Sequence, residues 1–218
     1  MFIGHYAVAL AAKPAARRAP LWTLVLAVQW PDLLWPFLLL TGVEQVRIDP
    51  GNTAFTPLDF VHYPVSHSLS LDLMWGVALG AFFLWRLRDG RAAVVLGASV
   101  VSHWVLDWIS HGPDMPLWPG GPLVGLGLWR SVPATVTAEV VLFALGLFLY
   151  LRATEAKDRI GRWAFWALVG FLCLSYVGNL MGPPPPSVTA MAWVTLALWL
   201  VVPWAAAIDR HRLTSPDP

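Results

Sequence analysis

In the segment Ser102-His103-Trp104-Val105-Leu106-Asp107-Trp108-Ile109-Ser110-His111-Gly112, three ionisable residues recur four apart: His103, Asp107 and His111. On a helix this spacing puts all three on one stripe, drifting about 40° per step. Trp, Val, Leu and Ile fill the other faces, and Gly112-Pro113 stops the helix. Two imidazoles and a carboxylate on one face suit a Zn²⁺-type ion better than they suit core packing.

Other ionisable residues have equally apolar surroundings. His62 and His67 flank Pro64, which keeps the preceding residue extended, so both rings can face one centre. Asp32 follows Pro31 inside a long apolar run, Glu139 lies inside another, and His5 opens a third. At bilayer depth an ionisable group facing lipid costs at least about 2.5–3.5 kcal/mol, so such groups face one another or a wet cavity. Gathering Asp32, His103, Asp107 and Glu139 around a cation removes that cost for all four; the alternative is an internal hydrogen-bonded network without metal.

The elements that must position these residues follow from composition. The 218 residues are 57% hydrophobic and only 12% charged, with a mean hydropathy of +0.62. Soluble chains are about 45–50% apolar and about 25% charged. Apolar blocks recur at about 20–41, 69–86, 92–110, 134–151, 163–181 and 189–208, each near the length that crosses a bilayer as a helix. Backbone satisfaction in lipid demands helices or a closed barrel, and period-2 alternation is absent. The expected fold is therefore all-α: a polytopic membrane protein of six spans, with one integral-membrane domain over 1–213 and a disordered tail at 214–218. Residues 2–12 rise only about 16 Å as helix, too short to span, and are expected as a re-entrant half-helix that brings His5 near the midplane. The alternative leaves His5 in the cytoplasmic interface.

Of the fourteen Lys and Arg, all but Arg47 and Arg130 fall in 13–18, 86–91, 152–162 and 210–212, on one side of the six-span arrangement. That positive-inside pattern puts both termini in the cytoplasm. His62, His67 and His111 then lie toward the outer face, with His103 deepest. His111, Asp114 and Arg130 are expected either to support the ligands from behind or to stand at the entrance, Asp114 as a loop neighbour and Arg130 beside Trp129 able to hold an anionic group. The net charge of +1, without a basic patch interleaved with aromatics, points to no nucleic-acid partner. The single cysteine, Cys173, excludes an intramolecular disulfide. Met1 to His5 carries no basic residue ahead of its apolar run and does not resemble a cleavable signal peptide.

Gly4-His5, Pro31-Asp32, His62…Ser66-His67-Ser68 and His103-x3-Asp107, over roughly residues 1–125, resemble the inner-membrane metal-dependent hydrolases of the YdjM-like family. That family is distantly similar to zinc-dependent phospholipase C and the P1-type nucleases. The resemblance implies a bacterial inner-membrane protein with one to three divalent ions, zinc foremost, and hydrolysis of an amphiphilic substrate such as a phosphoester or phospholipid. It implies His5, Asp32, His62, His67, His103 and Asp107 as ligands. On the chain's own residues, a water activated by such a metal would pass its proton to Asp32 or Glu139 as the catalytic acceptor. Two departures stand out. Tyr63-Pro64-Val65-Ser66 replaces the usual Arg-Gly-x-Thr, and Leu34 replaces a second acid after Pro31-Asp32. An ion-coupled permease using intramembrane Asp, Glu and His, or a membrane scaffold without activity, remains as an alternative class.

Overall fold

The computed structural model describes residues 1–214. A short helix, α1 (Ile3–Ala11), leads to a broken pair, α2 (Leu21–Val28) and α3 (Trp30–Leu40), bent by 51°. A hairpin of β1 (Gln45–Ile48) and β2 (Leu58–His62) follows, then a single turn, α4 (Pro64–His67), and two long helices, α5 (Leu69–Leu87) and α6 (Gly90–Ser110). Beyond β3 (Met115–Pro116) and β4 (Leu123–Val124) come α7 (Val132–Ala153), β5 (Thr154–Ala156) and α8 (Arg159–Met181). The last run is α9 (Val188–Leu196), a 3-10 segment (Ala197–Leu200), α10 (Val201–Arg210) and β6 (Arg212–Thr214).

Five helical runs are long and apolar enough to cross a membrane, α5, α6, α7, α8 and Val188–Arg210, and the α2–α3 pair makes up to six. The chain is helical in bulk but not all-α. Three two-stranded antiparallel sheets sit at the ends of the bundle. The largest, β1–β2, lies in the polar loop between α3 and α4, where alternation lets Val46 and Phe60, cross-strand partners, turn onto Trp35 of α3. β5 pairs with β6 at the opposite end, among the clustered Lys and Arg. Thr214 is thus the last strand residue rather than the start of a tail, and the expected disordered stretch 215–218 lies outside the described residues.

α6 is the central helix: half of its spanning window is buried, against 17–28% for the other spans. It meets α5 through small residues, so that a Cβ added to Gly97 would come 2.8 Å from the Gly76 carbonyl oxygen. Close backbone approach of this kind is how helices associate where lipid removes the hydrophobic drive. The nine-residue α1 lies inside the bundle, against α7, α2 and α6, with His5, Tyr6, Ala7 and Ala9 all buried. Gly146 of α7 makes room for it, since a Cβ there would meet the Ala7 carbonyl oxygen at 2.5 Å. Elsewhere the spans present Val77, Val141, Leu174 and Met181 outward, an apolar girdle suited to lipid. Replacing Gly97 by Leu should force α5 from α6 and cost about 1–3 kcal/mol by overpacking, read as a lower unfolding temperature in detergent. Gly170→Leu, with nothing within 4 Å of its added Cβ, should leave that temperature unchanged.

Candidate metal centre

Pro31 organises the centre. It lacks an N–H and its ring collides with the carbonyl four residues back, so α2 cannot run on into α3. The break leaves the last carbonyls of α2 without helical donors. The Val28 carbonyl is taken by His103 Nδ1 at 2.7 Å. Because a carbonyl only accepts, Nδ1 carries the proton of this bond, and Nε2 is the nitrogen left to face the aspartates. The same break puts Asp32 in the first turn of α3.

His67 ends α4 and is oriented by a second relay. Ser66 Oγ donates to Glu44 Oε2 at 2.6 Å, and His67 Nδ1 lies 2.6 Å from Ser66 Oγ. With the hydroxyl hydrogen directed to Glu44, Nδ1–H donates to Oγ, and Nε2 is again the free nitrogen. Glu44 Oε1 also accepts the backbone N–H groups of Val65 and Ser66 at 2.7 and 2.8 Å, holding the start of α4. Carboxylate or carbonyl support for the distal imidazole nitrogen is the usual outer shell of a metal-ligating histidine.

The two free nitrogens and two aspartates close a ring. Asp32 Oδ1 lies 3.5 Å from His67 Nε2 and 3.7 Å from His103 Nε2. Asp107 Oδ2 lies 3.8 Å from His67 Nε2 and 3.1 Å from His103 Nε2. Zinc bonds of about 2.0–2.1 Å set tetrahedral ligands about 3.3–3.4 Å apart, close to the Asp–His separations here. His103 Nε2 is fully buried and has no hydrogen-bond partner, an orphaned atom that a cation would satisfy. No Lys or Arg pairs with the ring among the described residues. His5 stacks flat on His103, with centroids 3.7 Å apart, and sets Nε2 3.1 Å from Asp107 Oδ1. The Met1 amino group contacts the same oxygen. Two three-residue groups can hold an ion, Asp32–His67–His103 and His5–His103–Asp107.

His62 and Glu139 stand outside both groups. Pro64 starts a helical turn, so His62 stays exposed at the end of β2, opposite Gln45, while His67 turns inward on α4. Glu139 is buried, but its Oε2 accepts the Phe2 and Gly4 N–H groups at 2.8 and 3.0 Å, clamping the start of α1 and so placing His5. His111 is buried, and Trp129, Phe60 and Tyr63 enclose its ring. Its Nδ1 lies 3.1 Å from Asp114 Oδ1, which also accepts from the Tyr63 hydroxyl. Burial holds the His111 imidazole below its usual pKa, against the opposing pull of Asp114, and burial raises the Tyr63 phenol. Arg130 is exposed.

Three contributors escape residue spacing. Glu44 sits in a polar loop and Val28 acts through its backbone, so neither leaves a motif; the Ser66-His67 dipeptide is the only local trace of the first relay. Asp72 resembles a helix-start acid, yet its carboxylate is fully buried, without a hydrogen-bond partner, within electrostatic reach of His103, Asp107 and Asp32. Comparison with family models, curated proteins and solved structures returns no match to this chain. Glu44→Gln, which weakens the relay to His67, should lower zinc affinity about 10–100-fold by chelator competition, with Arg47→Gln in the same hairpin unchanged.

Proposed function

We propose that the chain is a membrane-embedded hydrolase that uses a divalent cation, zinc by its donor set, on an amphiphilic phosphoester. The observation that carries this is the ring Asp32–His67–Asp107–His103 beside a cavity of about 730 Å³, whose wall includes Asp32, Trp35, Met1 and Phe2. His103 has one free nitrogen for the two groups it shares, so the arrangement favours a single ion, held by Asp32–His67–His103 or by His5–His103–Asp107. A cation held there lowers the pKa of a coordinated water to about 7 and polarises a phosphoryl oxygen.

The remaining roles belong to the chain. Asp32 is the ring member that lines the cavity, and its Oδ2 accepts no hydrogen bond from the described residues. It is therefore placed to take a proton from water at that wall. Glu139 does not line the cavity, and its task is to hold α1. Asp107, with both oxygens facing imidazoles, fixes His5 and His103. Toward the basic end of the bundle, Leu10, Leu21, Val25, Phe165 and Leu168 pack in one apolar core. That layer favours a dead-end site over the path a permease needs.

Placement in a bacterial inner membrane, with the basic end cytoplasmic, belongs to the same proposal, as does membership of the YdjM-like family. Its supports are the Lys/Arg asymmetry and the motif positions His5, Asp32, Ser66-His67 and His103-x3-Asp107. Detergent-purified protein should carry stoichiometric zinc that His103→Ala and Asp107→Ala both lose; a metal-free wild type would overturn the hydrolase and revive the permease. In a Cys173→Ala background, a cysteine at exposed Pro119 should label from outside intact cells and one at exposed Lys157 only after lysis. The reverse pattern would put the site on the cytoplasmic side.

A further inference from the structure

The last membrane-crossing run divides its loyalties at the 3-10 segment. Above it, α9 packs on α3, where Ala192 joins Trp35 and Leu39 and the Trp199 indole N–H donates to the Leu33 carbonyl at 3.1 Å. Below it, α10 packs on α8 and α2, with the Trp204 indole N–H donating to the Ala164 carbonyl at 3.0 Å. The upper half therefore leans toward α3 and parts from α8. The cavity occupies that gap, between Phe171, Ser175 and Asn179 on α8 and Met191 and Val194 on α9 with Leu198 of the 3-10 segment.

The cavity wall changes character with height. Along α8, Phe171 lies about 18 Å above the helix start and Ser175 about 24 Å, while Asp107 lies about 26 Å along α6. At and above the level of the ring the wall sets Thr53, Thr56, Ser175 and Asn179 among apolar Phe55, Phe60 and Trp129, with Val194 at the height of Ser175; below it are Phe171, Ala197 and Leu198. Val194 and Phe171 are also 74% and 40% exposed, so this apolar part is continuous with the lipid-facing girdle.

We propose that the gap between α8 and α9 is a lateral portal through which a membrane phospholipid enters. Its acyl chain lies against Phe171, Val194, Ala197 and Leu198, and its phosphoester reaches Asp32. This deepens the proposed hydrolase and rests on it for the fate of the phosphoester. An acyl chain gains no hydrophobic energy on moving from bilayer to apolar cavity, because lipid tails are equally apolar. Selection therefore falls to the polar wall and the ring, which read the headgroup.

The test uses full-length protein in phosphatidylcholine vesicles doped with phosphatidylglycerol that carries a diazirine at the end of one acyl chain. Illumination should label Phe171, Val194 and Leu198 above the general lipid-facing level of Val77 and Val141. Ala197→Trp and Gly178→Trp, which fill the gap, should reduce that labelling to the general level, with Val141→Trp on the outer face of α7 without effect. Uniform labelling of gap and girdle in the unaltered protein would overturn the portal without recourse to any variant. Zinc assayed in the same samples separates the two proposals. Zinc with uniform labelling removes the portal alone, and gap labelling without zinc removes the metal-dependent hydrolase while the lipid site stands.

Discussion

The hydrogen bond from His103 Nδ1 to the Val28 carbonyl holds the site together. It exists because Pro31 interrupts a membrane-length apolar run and leaves a carbonyl that no helix donor can reach. In an apolar interior that carbonyl must find a donor, and His103 is the donor supplied. The bond then settles three matters together: which imidazole nitrogen is protonated, where α6 stands against α2, and how far into the bundle Asp32 is carried. Broken helices serve membrane proteins in this way because their free ends are polar groups already at depth.

Around that bond the molecule solves an electrostatic problem. Asp32 and Asp107 are negative groups in a poorly polarisable interior, and each is flanked by imidazoles rather than by a fixed Lys or Arg. Imidazoles with their distal nitrogens committed to Val28 and Ser66 turn Nε2 toward the carboxylates. Such a ring suits a cation between its members, and the Met1 amino group already meets Asp107 from one side. Glu44 and Glu139 act one step further out. One steadies α4 and the other α1, so that His67 and His5 arrive from opposite ends of the bundle.

Packing makes the site one-sided. Small-residue contacts at Gly76, Gly97 and Gly146 draw α5, α6, α7 and α1 close and leave the basic half filled with apolar side chains. The opposite half is looser because α9 follows α3 while α10 follows α8, and the cavity lies where they separate. Tight and loose halves of one bundle thus divide the labour between stability and access.

The amino-acid sequence by itself determined the apolar runs, their number and the end at which positive charge gathers, because membrane length and charge asymmetry are local properties of a chain. It also exposed Asp32, His103 and Asp107, since each is an ionisable residue inside a membrane-length apolar run, and His67 through its spacing from His62 across Pro64. Tertiary structure alone decided which of these meet. His62, five residues from His67, is turned away by the helical start at Pro64, and Glu139 spends its carboxylate on backbone N–H groups of a helix more than a hundred residues distant. Glu44 and the Val28 carbonyl join the site through contacts that no spacing records. Strand pairing in the loop between α3 and α4 is likewise non-local, so a stretch that reads as polar loop closes into a hairpin once Trp35 offers Val46 and Phe60 a surface. Periodicity reports the face on which a side chain lies; only packing reports what that face meets.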